Sequence, residues 1–398
     1  MVKNTYQLRR QALYQEAAGD CTSEVFRLAA IMITKRVLVV SILVMYCSPL
    51  VAAFVVRQYQ HQNYPYPSLL TKPAVAKRRL ASSTVAVAPK EEQEEVLECA
   101  VRAAQEAGKL ILGGRGADVR KTKANPRDLL TEVDGACQKI IEACVAETFP
   151  THRFLGEESV EAGQAASSAA LMAATSAGGS DWLWVVDPID GTTNFASGLT
   201  LSAVSIGVAY KGEVSVGVIY DPFLDETFSA MAGRGAFCNG ERIRTNAGPA
   251  MALQDAAHQE EEEVEEGAAV LGEAVVFAGS PPAVNSMGPS LRGVAALMPK
   301  VRTIRMVGSA ALMFAWVAAG RASAYFEADL NAWDVAAGAV LIREAGGAIV
   351  DMADPYGPPY CLATRRILAT NGDPRLLRAL HGVLEKARAV RLDGDVGG

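Results

Sequence analysis

Histidine is scarce and cysteine is scattered in this chain. Only 4 histidines occur among 398 residues, and no two have the spacing of an HExxH motif. The 7 cysteines form no CxxC pair, and an odd number in so long a chain does not indicate a disulfide framework. A zinc site built from thiolates and imidazoles is therefore not expected. If the protein holds a metal, oxygen atoms supply the ligands, and that points to a hard cation.

Acidic residues are few at the start of the chain and abundant afterwards. Residues 1–90 hold 12 Lys and Arg against 3 Asp and Glu, whereas the remainder holds 26 against 41, and the net charge is -6. A body this acidic is a poor candidate for gripping nucleic-acid phosphates, and we expect no nucleic-acid partner. It can still bind a phosphate ester at a site where bound cations make the local charge positive.

Residues 1–90 are expected to be a targeting leader. Residues 37–56 contain no charged side chain and directly follow a Lys-Arg pair, and this length also permits a membrane span. The basic residues before the run, a late proline and a small-residue cleavage pattern favour a signal-like segment over residues 32–53, with translation starting at Met32.

The second part of the leader resembles a transit peptide. Residues 54–90 lack Asp and Glu entirely but contain several Lys and Arg, which is typical of organelle import. The two segments together predict a bipartite leader that directs the protein to a plastid. A membrane anchor over residues 37–56 with a basic linker is the alternative, as is a cytoplasmic location. Contact with a membrane is expected only if that anchor is retained.

Residues 91–398 are expected to form the folded body. Apolar residues at three-to-four spacing predict a helix that begins near residue 91 and ends at the glycine pair 113–114. A second helix begins at a Thr-x-x-Asp capping box made by Thr131 and Asp134.

Alternating apolar residues predict a meander of antiparallel strands after the second helix. The strands are expected at residues 153–156, 182–186, 202–209, 214–220 and 226–231. Strands and helices then alternate through the second half, which makes layered α/β the natural fold class. Two segments rich in Ala and Ser or in Glu, residues 163–179 and 260–266, are expected to be solvated loops.

The sequence DPIDGTTN at residues 187–194 carries the clearest chemical signal. It follows the apolar strand WLWVV and places two carboxylates, Asp187 and Asp190, at the end of that strand. Pro188 stiffens the turn, and Gly191 lets backbone N–H groups approach an anionic ligand. Carboxylate oxygens beside amide donors are what a metal-bridged phosphate needs. Taken alone, the turn also fits an ordinary capped junction between a strand and a helix.

Three further segments accompany this turn: DLLTEVD at 128–134, GEES at 156–159 and WDVAAG at 333–338. Together with DPIDGTTNF they resemble the motifs of the inositol monophosphatase family, in the family's order and at about its spacing, from roughly residue 92 to 385. The resemblance implies a layered α-β-α-β-α sandwich of the sugar-phosphatase type, with mixed sheets, for residues 91–398. It also implies a magnesium-dependent, lithium-sensitive phosphatase.

The resemblance implies a role for each matching residue in a metal site. Four carboxylates match side-chain ligands and one backbone carbonyl matches a further ligand: Glu157, Asp187, Asp190, Asp334 and Ile189. Thr192 and Asp134 match a pair that helps to deprotonate the attacking water, and Glu157 is counted with them as catalytic. A threonine hydroxyl is a weak base alone, but a carboxylate behind it can accept the relayed proton. Asp134 also fits the role of a helix cap.

Other matching positions surround the expected substrate. Substrate contacts are implied for Gly191, Thr192, Thr193, Gly308, Ser309, Ala310 and Glu327. Glu158 and Lys123 are expected to support the site without binding the metal. The segment 328–331 departs from the usual family sequence, and so does 195–200, which leaves substrate preference open.

The activity implied is hydrolysis of a small phosphate monoester. The Thr-Thr-Asn-Phe ending of the turn is the inositol type and favours myo-inositol monophosphate, with Mg²⁺ as the cofactor and a homodimer as the assembly common in the family. Histidinol phosphate and other sugar phosphates stay as alternatives. A different class, a non-catalytic phosphoinositide- or metal-binding protein, would require the loss of a ligand or of Thr192, and neither is lost.

Overall fold

A computed structural model describes residues 88–114, 119–122, 129–176, 178–247, 260–281 and 283–393. The predicted leader lies outside these residues except at its very end, and Lys123 also lies outside them. Among the described helices, none combines the length and the apolar character that a membrane span needs.

Two long helices begin the described part of the chain. Helix α1 spans Lys90–Gly114 and helix α2 spans Glu132–Thr148. Between them, strands β1 (Val119–Thr122) and β2 (Leu129–Thr131) form a small antiparallel sheet. Thr131 caps α2, and the capping box with Asp134 is present as predicted. The predicted first helix is confirmed as well.

A seven-stranded sheet follows. Its strands are β3 (Arg153–Gly156), β4 (Trp182–Asp190), β5 (Ala203–Tyr210), β6 (Glu213–Asp221), β7 (Glu226–Met231), β8 (Gly235–Cys238) and β9 (Glu241–Ile243). They lie side by side in chain order, and every pair is antiparallel except β3 with β4. The predicted antiparallel meander is therefore confirmed from β4 to β7, but it is wrong for β3, which pairs parallel with β4 because the connection through residues 157–181 crosses over between them. Side chains alternate between the faces: Trp184 packs with α1 and α2, and Val185 packs on the opposite side.

The second sheet has five strands. They are β10 (Val275–Ala278), β11 (Thr303–Arg305), β12 (Ala324–Glu327), β13 (Ala348–Asp351) and β14 (Ile367–Thr370). The spatial order is β11-β10-β12-β14-β13, with parallel pairing among the first three and antiparallel pairing thereafter. Tyr325 packs toward the middle of the molecule, and its neighbour Phe326 packs toward the outer helices.

Helices fill the space between and outside the two sheets. α7 (Ala310–Ala318) and α8 (Ala332–Glu344) lie between them in the central apolar cluster. α5 (Glu260–Glu273), α6 (Val284–Leu297) and α9 (Pro374–Lys386) cover the outer face of the five-stranded sheet. With α1 and α2 outside the seven-stranded sheet, the layers run α-β-α-β-α, as predicted.

Two glycines of the large sheet let α8 approach closely. A Cβ at Gly207 of β5 would lie 2.4 Å from the Cβ of Ala336, and a Cβ at Gly217 of β6 would lie 2.4 Å from Val340. Both distances are shorter than any ordinary van der Waals contact, so a larger residue would push the helix away. The close packing brings the first turn of α8, with Asp334, toward the end of β4.

The two predicted loops are wrong. Residues 163–179 contain helix α3 (Gln164–Ser176), and residues 260–266 belong to α5. Alanine is the strongest helix former and glutamate is a good one, so both compositions are compatible with helix. In α3, Ala170 and Leu171 pack partly against the central core. In α5, Leu271 is buried in the outer apolar cluster. Tertiary packing decides both cases.

Candidate active site and metal centre

Three carboxylates meet where β4 ends and α8 begins. Asp187 and Asp190 lie in the last four residues of β4, and Asp334 lies in the first turn of α8. One carboxylate oxygen from each lies within 4.8 Å of those of the other two. Asp187 is 3 % exposed and Asp190 is 7 % exposed, while Asp334 is partly exposed. The three side chains thus meet at one site although Asp190 and Asp334 are 144 positions apart in sequence.

The end of β4 is shaped by its own backbone. Its pairing with β5 is irregular between Asp187 and Asp190, and the Ile189 N–H donates to Oδ1 of Asp187 at 3.0 Å. Gly191 follows with φ +95°, where a Cβ would lie 2.9 Å from the carbonyl oxygen of Leu201. Only glycine fits a left-handed position this crowded. The DPIDG sequence therefore sets the backbone turn that carries both carboxylates.

Asp190 is held by the start of α7. Its Oδ2 accepts hydrogen bonds from the Ser309 hydroxyl and from the Ala311 N–H at 2.7 Å. Burial raises the pKa of Asp190 to about 6, although these hydrogen bonds act to lower it. Ser309 is 1 % exposed, and its hydroxyl also accepts from the Leu312 N–H at 3.3 Å. Ser309 therefore supports the carboxylate cluster, and its contact with a substrate stays a prediction.

Burial and repulsion also raise the pKa of the other two carboxyl groups. The pKa of Asp187 lies well above its usual range because of burial, and then because of the charges of Glu157, Asp190 and Asp334. The pKa of Asp334 is raised by burial and by the charges of Glu157 and Asp190, although the Asn331 N–H donates to its Oδ2 at 2.7 Å. The fold thus holds these groups where a full negative charge is costly.

Glu157 lies beside this cluster rather than inside it. It begins a single 3-10 turn, Glu157–Ser159, directly after β3, and its carboxyl group hydrogen-bonds the Asp187 side chain. Gln138 of α2 holds the turn: its Oε1 accepts from the Glu158 N–H at 2.9 Å and its Nε2 donates to Ser159 at 2.7 Å. The predicted supporting residue Glu158 is therefore adjacent to the site.

The donor set suits a hard cation. Carboxylates dominate the site, and burial and the like charges of neighbouring carboxylates raise the pKa values of Asp187 and Asp334. A bound divalent cation would supply the missing positive charge, and oxygen ligands are what such a cation prefers. The cluster can therefore hold a metal ion.

Thr192 and Asp134 are in contact. The Thr192 hydroxyl lies 3.2 Å from Oδ1 of Asp134 and 3.1 Å from the carbonyl oxygen of Ile189. Oδ2 of Asp134 accepts from the Thr131 N–H at 2.9 Å and from the Thr131 hydroxyl. One carboxylate oxygen thus caps α2 while the other faces Thr192, so the two interpretations of Asp134 are compatible.

The expected substrate residues differ in exposure and in backbone conformation. Glu327 ends β12, is 8 % exposed and accepts a hydrogen bond from the Tyr325 hydroxyl. Burial raises the pKa of Glu327 to about 7. Gly308 has φ +79° and Ala310 is buried, whereas Thr193 is exposed. Their contacts with a substrate stay predictions.

The sequence analysis assigns no role to two residues near the site. Asn194 donates to the carbonyl oxygens of Leu201 at 2.7 Å and of Val307 at 2.9 Å, and so ties α4 (Thr192–Ala196) to the loop before α7. Its place in DPIDGTTN is a usable signal. Arg365 forms an ion pair with Asp329 at 2.8 Å, next to Glu327. Nothing local in the sequence identifies that pair.

Known proteins resemble this chain in sequence and in structure. The sequence model described as the Inositol monophosphatase family matches residues 92–389. Inositol monophosphatase 2 of Solanum lycopersicum is 34 % identical over 283 residues, which cover 70 % of this chain and 94 % of the relative. Nus factor SuhB of Pseudomonas aeruginosa is 36 % identical over 265 residues, covering 66 % and 87 %.

Solved structures have the same fold. An IMPase of Thermotoga maritima superposes with a TM-score of 0.57 at 29 % identity, covering 74 % of this chain and 98 % of that one. A structure described as inositol monophosphate bound SaIMPase-II superposes with a TM-score of 0.53 at 25 % identity, covering 73 % and 95 %. With the carboxylate cluster in place, these matches show that the chain belongs to the inositol monophosphatase family and is a phosphatase of small-molecule phosphate esters.

Proposed function

We propose that the protein hydrolyses myo-inositol monophosphate to inositol and phosphate with Mg²⁺ as its cofactor. The observation that carries this proposal is the mutual approach of Asp187, Asp190 and Asp334, whose oxygens lie within 4.8 Å of one another. The relatives named inositol monophosphatase support the choice of substrate, as does the similar SaIMPase-II structure, which is described as bound to inositol monophosphate. The inositol-type TTNF sequence supports it too.

The residues that would hold the cation are Glu157, Asp187, Asp190, Asp334 and the carbonyl group of Ile189. When bound, a divalent cation polarises the phosphoryl oxygens and lowers the pKa of a water ligand. Carboxylate and carbonyl oxygens match the preference of Mg²⁺, which commonly joins a few protein carboxylates to a substrate phosphate.

Thr192 and Asp134 would handle the proton of the attacking water. The Thr192 hydroxyl oxygen accepts that proton while its own proton passes to Oδ1 of Asp134, 3.2 Å away. The contacts of Oδ2 with Thr131 keep the carboxylate from turning. The water attacks phosphorus from the side opposite the departing inositol oxygen, so that the P–O bond to inositol breaks as the new one forms, and the departing oxygen takes a proton from solvent water to give inositol.

Glu327 would bind the sugar alcohol. Its carboxylate can accept a hydrogen bond from an inositol hydroxyl, while the Tyr325 hydroxyl holds it on the other side. Histidinol phosphate and other sugar phosphates stay as alternatives because segment 328–331 differs from the usual family sequence. A non-catalytic phosphoinositide-binding protein is the weaker hypothesis, because the carboxylates and Thr192 are all present.

A substrate panel tests the proposal. Phosphate release would be measured from inositol 1-phosphate, histidinol phosphate, galactose 1-phosphate and adenosine 3′,5′-bisphosphate, each with Mg²⁺ and with EDTA. We expect turnover of inositol 1-phosphate above the others, dependent on Mg²⁺ and inhibited by Li⁺. If histidinol phosphate is hydrolysed faster than inositol 1-phosphate, histidinol phosphate becomes the assigned substrate. If no compound is turned over, the proposed activity is refuted.

The assembly and the destination of the protein are part of the same proposal. We infer a homodimer because that assembly is common in the family, and import into a plastid directed by residues 1–90, with residues 91–398 as the catalytic domain. Light scattering of the catalytic domain tests the first. A fluorescent protein fused after residue 90 tests the second, and its retention in the cytoplasm or in a membrane would refute plastid import.

A further inference from the structure

Arg365 lies just before β14 and contacts two other segments through its guanidinium group. Its Nε and Nη2 donate to Oδ1 of Asp329 at 3.1 and 2.8 Å. Its Nη1 donates to the Ser167 hydroxyl and to Oδ1 of Asn331, both at 3.0 Å. Its backbone carbonyl accepts from the Leu330 N–H at 2.9 Å. The side chain is only 18 % exposed, so these bonds are shielded from water.

Both of the contacted segments lead to predicted metal ligands. Ser167 lies on α3, which follows the turn that carries Glu157. Asp329 and Asn331 lie on the short segment 328–331 that joins the end of β12 to the start of α8. Asn331 is the N-cap of α8, and its N–H donates to Asp334. Arg365 therefore joins the two parts of the chain that bring Glu157 and Asp334 to the site.

The backbone of Asp329 shows that this segment is under constraint. Its φ is +69°, a left-handed conformation that glycine adopts freely and that other residues adopt rarely. Aspartate is among the few that tolerate it. The two hydrogen bonds from Arg365 to one carboxylate oxygen hold Asp329 in this conformation. Glu327 precedes the strained residue by two positions, and Asn331 follows it by two.

We propose that Arg365 is a positioning residue of the active site. It clamps segment 328–331 against α3, and so sets the affinity for the divalent cation and the rate of turnover without touching cation or substrate. The planar guanidinium group suits this task because its donors are fixed in direction and reach three acceptors at once. Residues that support metal ligands from behind commonly change metal affinity or activity by 10- to 100-fold. This inference rests on the proposed function in that it takes the carboxylate cluster to be a Mg²⁺ site.

Four variants test the inference. Arg365→Ala removes all the side-chain hydrogen bonds, and Arg365→Lys keeps the positive charge but loses the several donors of the guanidinium group. Asp329→Asn keeps the shape of the side chain and tolerates a positive φ. Arg366→Ala is the matched control: the neighbouring arginine pairs instead with Asp351 of β13 at 3.6 Å. The metal-free proteins would be titrated with MgCl₂ while their melting temperatures are followed, since a cation that binds the folded state raises them. Steady-state rates would be measured with the best substrate of the wild type.

We expect Arg365→Ala to raise the half-saturating Mg²⁺ concentration and to lower kcat, each by about tenfold. Arg365→Lys and Asp329→Asn should fall between it and the wild type, and Arg366→Ala should match the wild type. If Arg365 only stabilised the fold, the melting temperature without metal would fall while the half-saturating Mg²⁺ concentration stayed at the wild-type value. That result would overturn the inference.

The outcomes separate this inference from the proposed function. A wild-type protein with neither Mg²⁺-dependent stabilisation nor turnover refutes the proposed function. An active wild type whose Arg365 variants keep its Mg²⁺ dependence refutes only the role of Arg365. If Arg365→Ala does not fold, Arg365→Lys and Asp329→Asn decide the question, because wild-type Mg²⁺ dependence in both would overturn it.

Discussion

The Asp134 carboxylate divides its two oxygens between a helix and Thr192. Oδ2 accepts from Thr131 at the start of α2, and Oδ1 lies 3.2 Å from the Thr192 hydroxyl. The cap keeps the carboxylate in one orientation, and that orientation presents the second oxygen to Thr192. Asp134 is 1 % exposed, so solvent does not compete for either oxygen. A structural hydrogen bond thus prepares a group for proton transfer.

Asp134→Asn is expected to lower kcat by about 10²- to 10³-fold, because the amide cannot accept the proton that Thr192 passes on. An amide oxygen can still accept the capping hydrogen bond, so circular dichroism and the melting temperature should change little. Steady-state rates with inositol 1-phosphate measure the effect.

Two comparisons test the reason for that loss. Asp373 caps α9, accepting from the Arg375 N–H at 2.8 Å, and Asp373→Asn should keep full activity. Thr192→Val removes the hydroxyl at nearly constant volume. If Thr192 and Asp134 act as one unit, the double variant should be no slower than the slower single variant. Multiplied losses would contradict the relay.

Asp187→Asn is expected to abolish metal-dependent stabilisation together with most turnover, because it removes a charged ligand from the site. In EDTA the same variant should melt about 2–4 °C above the wild type, as ~1 kcal/mol would produce in a domain of this size. Burial and three neighbouring carboxylates raise the pKa of Asp187, so the neutral amide relieves repulsion in the empty site. Most single substitutions lower the melting temperature, so a rise would be diagnostic of relieved repulsion. Scanning fluorimetry with EDTA and with MgCl₂ measures both effects.

Asp221 supplies the matched control for that variant. It too is a buried aspartate at a strand end, and burial raises its pKa, but its Oδ1 accepts from the Phe223 and Leu224 N–H groups at 2.9 and 3.2 Å. Asp221→Asn should leave the response to Mg²⁺ intact. If Mg²⁺ still stabilises the Asp187→Asn variant, Asp187 is not a metal ligand.

The metal-free protein is expected to lose stability as the pH rises from about 5 to about 7. The pKa of Asp190 rises from 3.8 to about 6 in the fold, and that of Glu327 rises from 4.5 to about 7. A raised pKa means that the folded state holds the proton more tightly than the unfolded chain does. Stability is then lost as the pH rises from the ordinary pKa of the group to its raised pKa in the folded state. His152, whose pKa burial lowers from 6.5, opposes this loss within the interval, but Asp190 and Glu327 together outweigh that one group, whereas Asp373 and Asp393, whose pKa values are also lowered, act only below their usual value of 3.8.

Melting temperatures in EDTA across this pH interval measure the effect. With saturating MgCl₂ the slope should reverse, because the cation binds the deprotonated carboxylates and protons compete with it. A melting temperature in EDTA that rises toward pH 7 would contradict the raised pKa values.

The part of the site that could be predicted from sequence is the part that is local in the chain. The Thr131 capping box and the DPIDG turn depend on residues within a few positions of one another, and both form as the sequence predicts. The turn also requires glycine at position 191, because Gly191 has a left-handed φ of +95°. Family resemblance then extends the prediction from these local signals to Asp334.

What could not be predicted depends on distant partners. Arg365 and Arg366 are indistinguishable in sequence, yet one pairs with Asp329 and the other with Asp351. The substrate contact that the resemblance implies for Ser309 stays a prediction, but the hydrogen bond of its hydroxyl to Asp190, 119 positions away, has no local signal in the sequence. The prediction of loops at 163–179 and 260–266 is wrong for the same reason: composition permits helix, and contacts elsewhere in the fold select it.

Glu327→Gln should change the choice of substrate rather than the chemistry. The variant keeps the shape of the side chain but removes the charge that would accept hydrogen bonds from a sugar alcohol. Since a hydrogen bond to a charged group contributes roughly 1.5–3 kcal/mol, KM for inositol 1-phosphate should rise by about tenfold or more. p-Nitrophenyl phosphate has no hydroxyl for Glu327 to bind, so its kcat/KM should stay close to that of the wild type.

Tyr325→Phe is the companion to that variant. It removes the hydroxyl that donates to Glu327 and leaves the carboxylate in place, so KM for inositol 1-phosphate should rise less than in Glu327→Gln. An equal loss with both substrates would mean that Glu327 acts on the carboxylate cluster instead. Its pKa is in fact raised by burial and also by the charge of Asp190, so the two sites are close enough to interact. The ratio of the two kcat/KM values therefore separates recognition of the alcohol from support of the metal.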